Sequence, residues 1–312
     1  LSILAIGTVA FDAIETPFKS TGQVLGGSAT YITLAARYFS PSVRLVAVVG
    51  GDFPDAYVET LRSNGVDLEG LAVDPDGKTF AWGGRYHYDL NQRDTLFTHL
   101  NVLETFQPVV PASYRDSRIV CLGNLDPTTQ RQVLDQVDRP EMVVCDTMNF
   151  WIEHTPESLR ETLKRIDCLI INDSEARELA EEPNLIVAAR RIRAMGPDIL
   201  VIKKGEHGAM LFMDDEIFVA PAYPLEDIQD PTGAGDAFMG GFVGYLDRTQ
   251  TLDATCLKRA VIYGSAMASF SVERFGPERL LDLTDEAIYT RLQAFYHLSS
   301  IPSLVSFDGI SS

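Results

Sequence analysis

Short apolar runs alternate with helix-like spacing along most of this chain, and that alternation limits the fold more than any other feature. Strand-like runs occur at 2–7, 44–50, 118–123, 141–145, 168–172, 199–203 and 209–213. Helical spacing fills 26–39, 53–64, 127–137, 156–165 and 174–195. Strands joined through helices return in the same direction, so the pattern predicts an α/β fold: a mainly parallel sheet covered by helices on both faces. From 253 to 273 and from 284 to 297 the chain reads as helix. Two polar, aromatic stretches, 14–25 and 78–100, break the alternation and predict a small β appendage. Nothing resembles a hinge or a low-complexity linker, so residues 1–312 read as one domain.

Composition narrows the partners. The chain of 312 residues is 46% hydrophobic, enough for a sizeable core. A net charge of −18 argues against a nucleic-acid footprint and against an anionic membrane surface. Cys121, Cys145, Cys168 and Cys256 form no C-x-x-C pair, and the first three lie in strand-like runs, as buried thiols do. Five scattered histidines show no metal-ligand spacing. No apolar run reaches membrane-spanning length. The opening LSILAIG lacks a basic flank and reads as a first strand, not a signal peptide, with the cytoplasm as the expected compartment.

The chemistry concentrates at 230–238, DPTGAGDAF. A glycine-rich turn opening an apolar helix leaves backbone N–H groups unpaired, with the positive end of the helix dipole behind them. The N–H groups of Gly233, Ala234 and Gly235 therefore form a candidate anion site. A carboxylate beside it would be repelled by a resting anion, so Asp236 is read as a base that takes a proton from an attacking hydroxyl. A tight turn with Asp236 in a first helical turn is the plain alternative.

The string D-x-T-G-A-G-D-x-F resembles the C-terminal signature of the ribokinase-like (PfkB) carbohydrate kinases, and further pieces follow in family order. IGTVAFD ends in Asp12, where the resemblance implies an acidic residue holding acceptor hydroxyls. LGGSATY supplies Gly26 and Gly27, similar to the family's glycine pair beside the acceptor. Asn124 and Asn149 are further candidate hydroxyl ligands. IINDSEARELA supplies Asn172 and Glu175, similar to the N-x-x-E that organises Mg²⁺, partly through water. Without the resemblance, these two read as a helix cap. VIKKGEHG places Lys203, Gly205 and Gly208 on the nucleotide side, joined by Thr232 and Gly276. Asp230 and Thr232 fall where some members hold a monovalent cation such as K⁺.

The resemblance thus implies an ATP- and Mg²⁺-dependent kinase that phosphorylates a hydroxyl of a sugar or related polyol. The β segments would form a lid over the acceptor, with a homodimer through the lid as one arrangement. A nucleoside kinase is the alternative, because Trp82, Tyr86 and Tyr88 at alternating positions could stack on a base. An inactive sugar- or nucleotide-binding relative is the non-enzyme alternative. A dehydrogenase is excluded by the missing early G-x-G-x-x-G. Three departures stand out. Tyr31 replaces the Asn that many members use on a sugar hydroxyl, as aromatic residues do in inositol-type kinases. CDTMNFW lacks the Arg of the family's D-P-N-x-R. Only Arg85 and Arg93 could clamp a phosphosugar.

Overall fold

The computed structural model describes residues 2–300. In chain order its strands are β1 (Ile3–Ile6), β2 (Ala10–Glu15), β3 (Ser20–Gly26), β4 (Val43–Gly50), β5 (Val66–Asp74), β6 (Ala81–Tyr86) and β7 (Arg93–His99). They continue as β8 (Ile119–Leu122), β9 (Met142–Cys145), β10 (Cys168–Asn172), β11 (Ile199–Lys203), β12 (Ala209–Met213) and β13 (Glu216–Ala220). The helices are α1 (Ser28–Ala36), α2 (Asp55–Ser63), α3 (Pro127–Leu134), α4 (Asn149–His154), α5 (Pro156–Leu163) and α6 (Asp173–Ala180). After them come α7 (Leu185–Arg193), α8 (Ala234–Thr249), α9 (Ala254–Ser271), α10 (Glu278–Leu281) and α11 (Asp285–Leu298).

The large sheet has the order β13-β12-β11-β10-β9-β8-β1-β4-β5. Every pair from β11 through β5 is parallel, and β12 and β13 add an antiparallel edge. The two-residue period of a strand divides its side chains between two cores. On β1, Ile3 and Ala5 face a core shared with Ile32 of α1, Phe238 and Phe242 of α8 and Val261 of α9. Leu4 and Ile6 face the opposite core, with Leu159 of α5, Ala176 of α6 and Ile192 of α7. Each buried Leu, Ile, Val or Phe among them contributes about 1.5–3 kcal/mol. The expected parallel sheet covered on both faces is therefore the observed one. All four cysteines are buried free thiols.

Four details differ from expectation. The stretch 174–195 is two helices, not one. Glu181 takes a left-handed conformation at φ 49°, and the Asn184 side chain caps α7 just after Pro183. Strands β5 and β13 and helix α4 had not been anticipated, because their exposed sides blur the apolar pattern. The small sheet, ordered β3-β2-β6-β7, begins at Ala10 and not at 14. Asp12 is thereby a lid-strand residue, on the inward row of β2 between Ala10 and Ile14. Finally, the three lid aromatics do not share one strand face. Asp12 pairs with Trp82, and Trp82, Gly84 and Tyr86 share one row of β6. Tyr88 lies beyond the strand, where His87 N–H closes a turn onto Gln92 O. Tyr88 is 81% exposed and meets Phe18 edge-on, at 6.1 Å between centroids.

Candidate active site

The parallel strands β1, β8, β9, β10 and β11 end on the same edge of the large sheet, and the polar residues that follow them converge there. Asp146 follows β9, and Asn172 and Lys203 are register partners at the ends of β10 and β11. The turn before α8 lies against this edge, and the small sheet covers it.

Gly233 caps α8 with φ 74°, a left-handed conformation that favours glycine. A Cβ there would run into the ring of Tyr31. The N–H groups of Gly233, Gly235 and Asp236 find no acceptor among the described residues. The Ala234 N–H donates to Pro231 O at 3.2 Å. The free donors of the turn are thus those of Gly233, Gly235 and Asp236. The expectation for Ala234 is revised, because its N–H is turned back into the turn. Gly235 is helical and has no positive φ; its missing side chain leaves room for Lys203, whose Nζ would lie 2.6 Å from a Cβ.

Asp236 is half-buried, in the first turn of α8. Burial pushes its carboxyl up to about 7, the charge of Asp146 adds to the rise, and Lys203 opposes it. A carboxylate with this pKa suits a general base near neutral pH.

Asp12 is buried, and its Oδ2 accepts the Gly27 N–H at 3.3 Å. Gly26 makes the space: a Cβ there would overlap the Asp12 carboxylate. The glycine pair thus houses this acid. Burial lifts Asp12 to about 7, the Gly27 hydrogen bond opposes the rise, Asp230 adds to it and Arg93 lowers it. Because its unfolded value is 3.8, the native state binds this proton more tightly. Stability is therefore lost as pH rises from about 4 through about 7, and the loss is complete above that range. Asp12→Asn is expected to raise Tm at pH 8 by about 2 °C or more. The same change should raise acceptor KM by about tenfold or more, through loss of a charged hydrogen bond. A melting curve and a Michaelis series measure both; unchanged acceptor KM would remove Asp12 from the acceptor site.

Asp230 is fully buried and clamps two segments together. Its Oδ1 accepts Thr232 N–H at 2.8 Å and its Oδ2 accepts Gly276 N–H at 3.0 Å. Burial raises it to about 6, against the pull of those hydrogen bonds. Gly276, at φ 59°, belongs to this clamp. Tyr86 reaches down from the lid to Thr232, with Oη and Oγ1 3.0 Å apart. Burial pushes the Tyr86 phenol up to about 12.

Asn172 and Glu175 form a reciprocal capping box on α6. Glu175 N–H donates to Asn172 Oδ1 at 2.8 Å, and Asn172 N–H donates to Glu175 Oε2 at 2.9 Å. Glu175 Oε1 remains without a protein hydrogen bond among the described residues, and burial raises this carboxyl to about 7. One free carboxylate oxygen at the edge of the site fits a hydrated Mg²⁺ held through water. Gly205 and Gly208 shape the turn between β11 and β12, at φ 54° and 84°. Asn91, in the β6–β7 turn, reaches this same turn and approaches Glu206 at 3.5 Å.

Other expected ligands are placed differently. Asn124 Oδ1 accepts the Trp151 indole N–H at 2.8 Å, tying the β8 loop to α4. Asn149 is exposed at the start of α4. Arg85 pairs with Glu15 at 2.7 Å among exposed groups. Arg93 instead lies over Trp82, 5.6 Å from the ring centroid, and its charge lowers Asp12, Asp146, Glu175 and Asp236. Sequence reasoning had passed over Asp146, although it is the acid in CDTMNFW that matches the first residue of D-P-N-x-R. Tyr31 is fully buried, with its hydroxyl unpartnered and the acids Asp230, Asp12 and Asp236 around it; burial and their charges hold its phenol well above the ordinary range.

A family model for pfkB family carbohydrate kinases matches residues 2–282. The chain belongs to the pfkB carbohydrate kinase family. Like the other kinases of that family, it is a phosphotransferase that uses a hydroxyl acceptor. Among pfkB relatives, the cytidine kinase of Thermococcus kodakarensis is 28% identical over 258 residues, 81% of this chain and 91% of the relative. The nucleoside kinase of Methanothermobacter thermautotrophicus is 28% identical over 301 residues, 92% of this chain and 94% of the relative. The Burkholderia thailandensis nucleoside kinase solved with ADP and inosine superposes with TM-score 0.79 at 20% identity, covering 99% of this chain and 100% of that one. The last likeness establishes the ribokinase-like pfkB fold, including the small antiparallel sheet as lid.

Proposed function

We propose that this enzyme transfers the γ-phosphoryl group of ATP to a hydroxyl of a small polyhydroxy acceptor, a sugar or related polyol. One observation carries the reading. The Asp236 carboxyl, lifted to about 7, adjoins the free N–H groups of Gly233 and Gly235, and the buried Asp12 carboxyl on the lid strand is near enough for its charge to reach it. The acceptor hydroxyl gives its proton to Asp236 as its oxygen bonds to the γ-phosphorus, and the bond to the β-phosphate oxygen breaks with its electrons on ADP. The turn N–H groups stabilise the moving negative charge. Asn172 and Glu175 would hold Mg²⁺ through water, and that ion, when bound, neutralises phosphate charge.

A nucleoside acceptor is the second reading. The relatives named cytidine kinase and nucleoside kinase favour it, and Trp82 supplies a half-buried ring beside Asp12. Tyr86 is committed to Thr232 and Tyr88 points away, so Trp82 is the lid ring left to stack. Acceptor-dependent ADP release, screened across sugars, inositols and nucleosides, tests both readings. With a nucleoside, Trp82→Ala should raise acceptor KM by about tenfold, the loss of one stacked ring. With a polyol it should leave KM near the parental value and increase acceptor-independent ATP hydrolysis, because water enters. ADP release with no acceptor class would sink both.

A further inference from the structure

Lys203 ends β11 with its side chain 17% exposed. Its Nζ lies 3.6 Å from Asp146 Oδ2, beyond the 2.7–2.9 Å usual for a charge-assisted hydrogen bond. It makes no side-chain hydrogen bond among the described residues. An ammonium with three donors is therefore mostly buried, with Asp146 at 3.6 Å and its charge felt also by Asp236 and Glu175. It also rests against Gly235, in the first turn of α8. That turn presents unpaired N–H groups and the positive end of a sixteen-residue helix. The Asp236 carboxyl in the same turn answers part of this positive charge. The ammonium and the free N–H groups of the turn still lack an acceptor at hydrogen-bond distance among the described residues, and donors gathered in this way suit an anion. Arg93, whose charge also reaches Asp236, comes from the lid and lies over Trp82.

We propose that Lys203 is the catalytic cation that contacts the transferring phosphoryl group, and that Asp146 is the positioning residue that holds it beside Gly235. The proposal rests on the kinase reading above. In the transfer, the bond from the γ-phosphorus to the β-phosphate oxygen breaks and the bond to the acceptor oxygen forms. The acceptor proton goes to Asp236, and the ammonium stays protonated throughout. Two of its donors are free for phosphoryl oxygens while the third faces Asp146. The cation also shields the incoming phosphoryl from the Asp146 carboxylate, which would otherwise repel it.

The test uses Lys203→Met, Asp146→Asn, the double variant and Lys203→Arg. Turnover is measured with an accepted substrate, and affinities are measured for ADP and for a non-hydrolysable ATP analogue. Lys203→Met should lower kcat by about 10²-fold, with acceptor KM and ADP affinity unchanged. It should also erase the analogue's advantage over ADP, a reading that needs no turnover. Asp146→Asn should lower kcat by a smaller factor with KM unchanged, and the double variant should be no slower than Lys203→Met. Lys203→Arg should recover part of the loss, and it reports on the charge if the methionine variant does not fold. Parental kcat in Lys203→Met, or losses that multiply in the double variant, would overturn the proposal. If the parental enzyme releases ADP with no acceptor, the kinase reading fails instead, and the analogue-against-ADP comparison still judges Lys203.

Discussion

Asp236→Asn should lower kcat by about 10²–10⁴-fold while nucleotide binding persists, the usual result of removing a general base. The amide keeps the shape of the first turn of α8 and adds no bulk, so a loss of rate reports on the proton. The pH profile supplies a second reading. The Asp236 carboxyl is lifted to about 7, first by burial and then by Asp146, against Lys203. It must be ionised to accept the proton, so kcat/KM should fall as pH drops through about 7 and level off above it. Asp12 is also lifted to about 7, and under the proposed acceptor role it works as a carboxylate, so the parental fall should be steeper than that of one proton. In the Asn variant the residual rate should keep only the Asp12 part of that fall. Near-parental kcat in the variant, or a parental rate that does not change between about pH 5 and 8, would take the base role away from Asp236.

Gly235→Val should be nearly as damaging, for a different reason. Gly235 is helical, so a side chain there is not strained in the backbone. The obstacle is Lys203 Nζ, 2.6 Å from where the Cβ would stand. A branched side chain displaces the ammonium and crowds the Gly235 N–H, one of the turn's free donors. Losing one such donor costs about 2.7–4 kcal/mol of transition-state stabilisation, roughly 10²–10³ in kcat. Thermal melting should move little, because what the new side chain meets first is the end of the flexible Lys203 side chain and not backbone or packed core. Gly233→Ala gives the contrast: it combines positive φ with a clash on the Tyr31 ring and should lower both stability and rate. A folded Gly235→Val enzyme with full turnover would leave the anion turn without a role.

Much of this was legible along the chain because it is local. The period of two in ILAI and IVCL, and the Gly–Ala–Gly–Asp entry to a helix, need no partner to be read. The same holds for the N-x-x-E of IINDSE, whose capping box forms within four residues. What was misread is non-local or ambiguous over a short span. The break between α6 and α7 depends on Glu181 turning left-handed, and apolar spacing on its two sides runs on as though nothing intervened. Tyr88 has the right spacing to share a face with Trp82 and Tyr86, but the strand ends before it.

The sequence by itself determined the layered α/β architecture, the anion turn and its acid, and membership of a kinase family, since each rests on short-range pattern and backbone geometry. Only the tertiary structure decided how the acids are tuned and which cations lie beside them. Asp12 stands out in the sequence through the resemblance, but its burial on the lid strand over Gly26 is set by the fold. Asp146 and Lys203 are 57 positions apart in number and meet only because β9 and β11 end on one sheet edge. Burial and the field of neighbouring charges are sums over groups far apart in the chain. A linear pattern carries the residues that make those sums, and the fold sets the distances that give them their size.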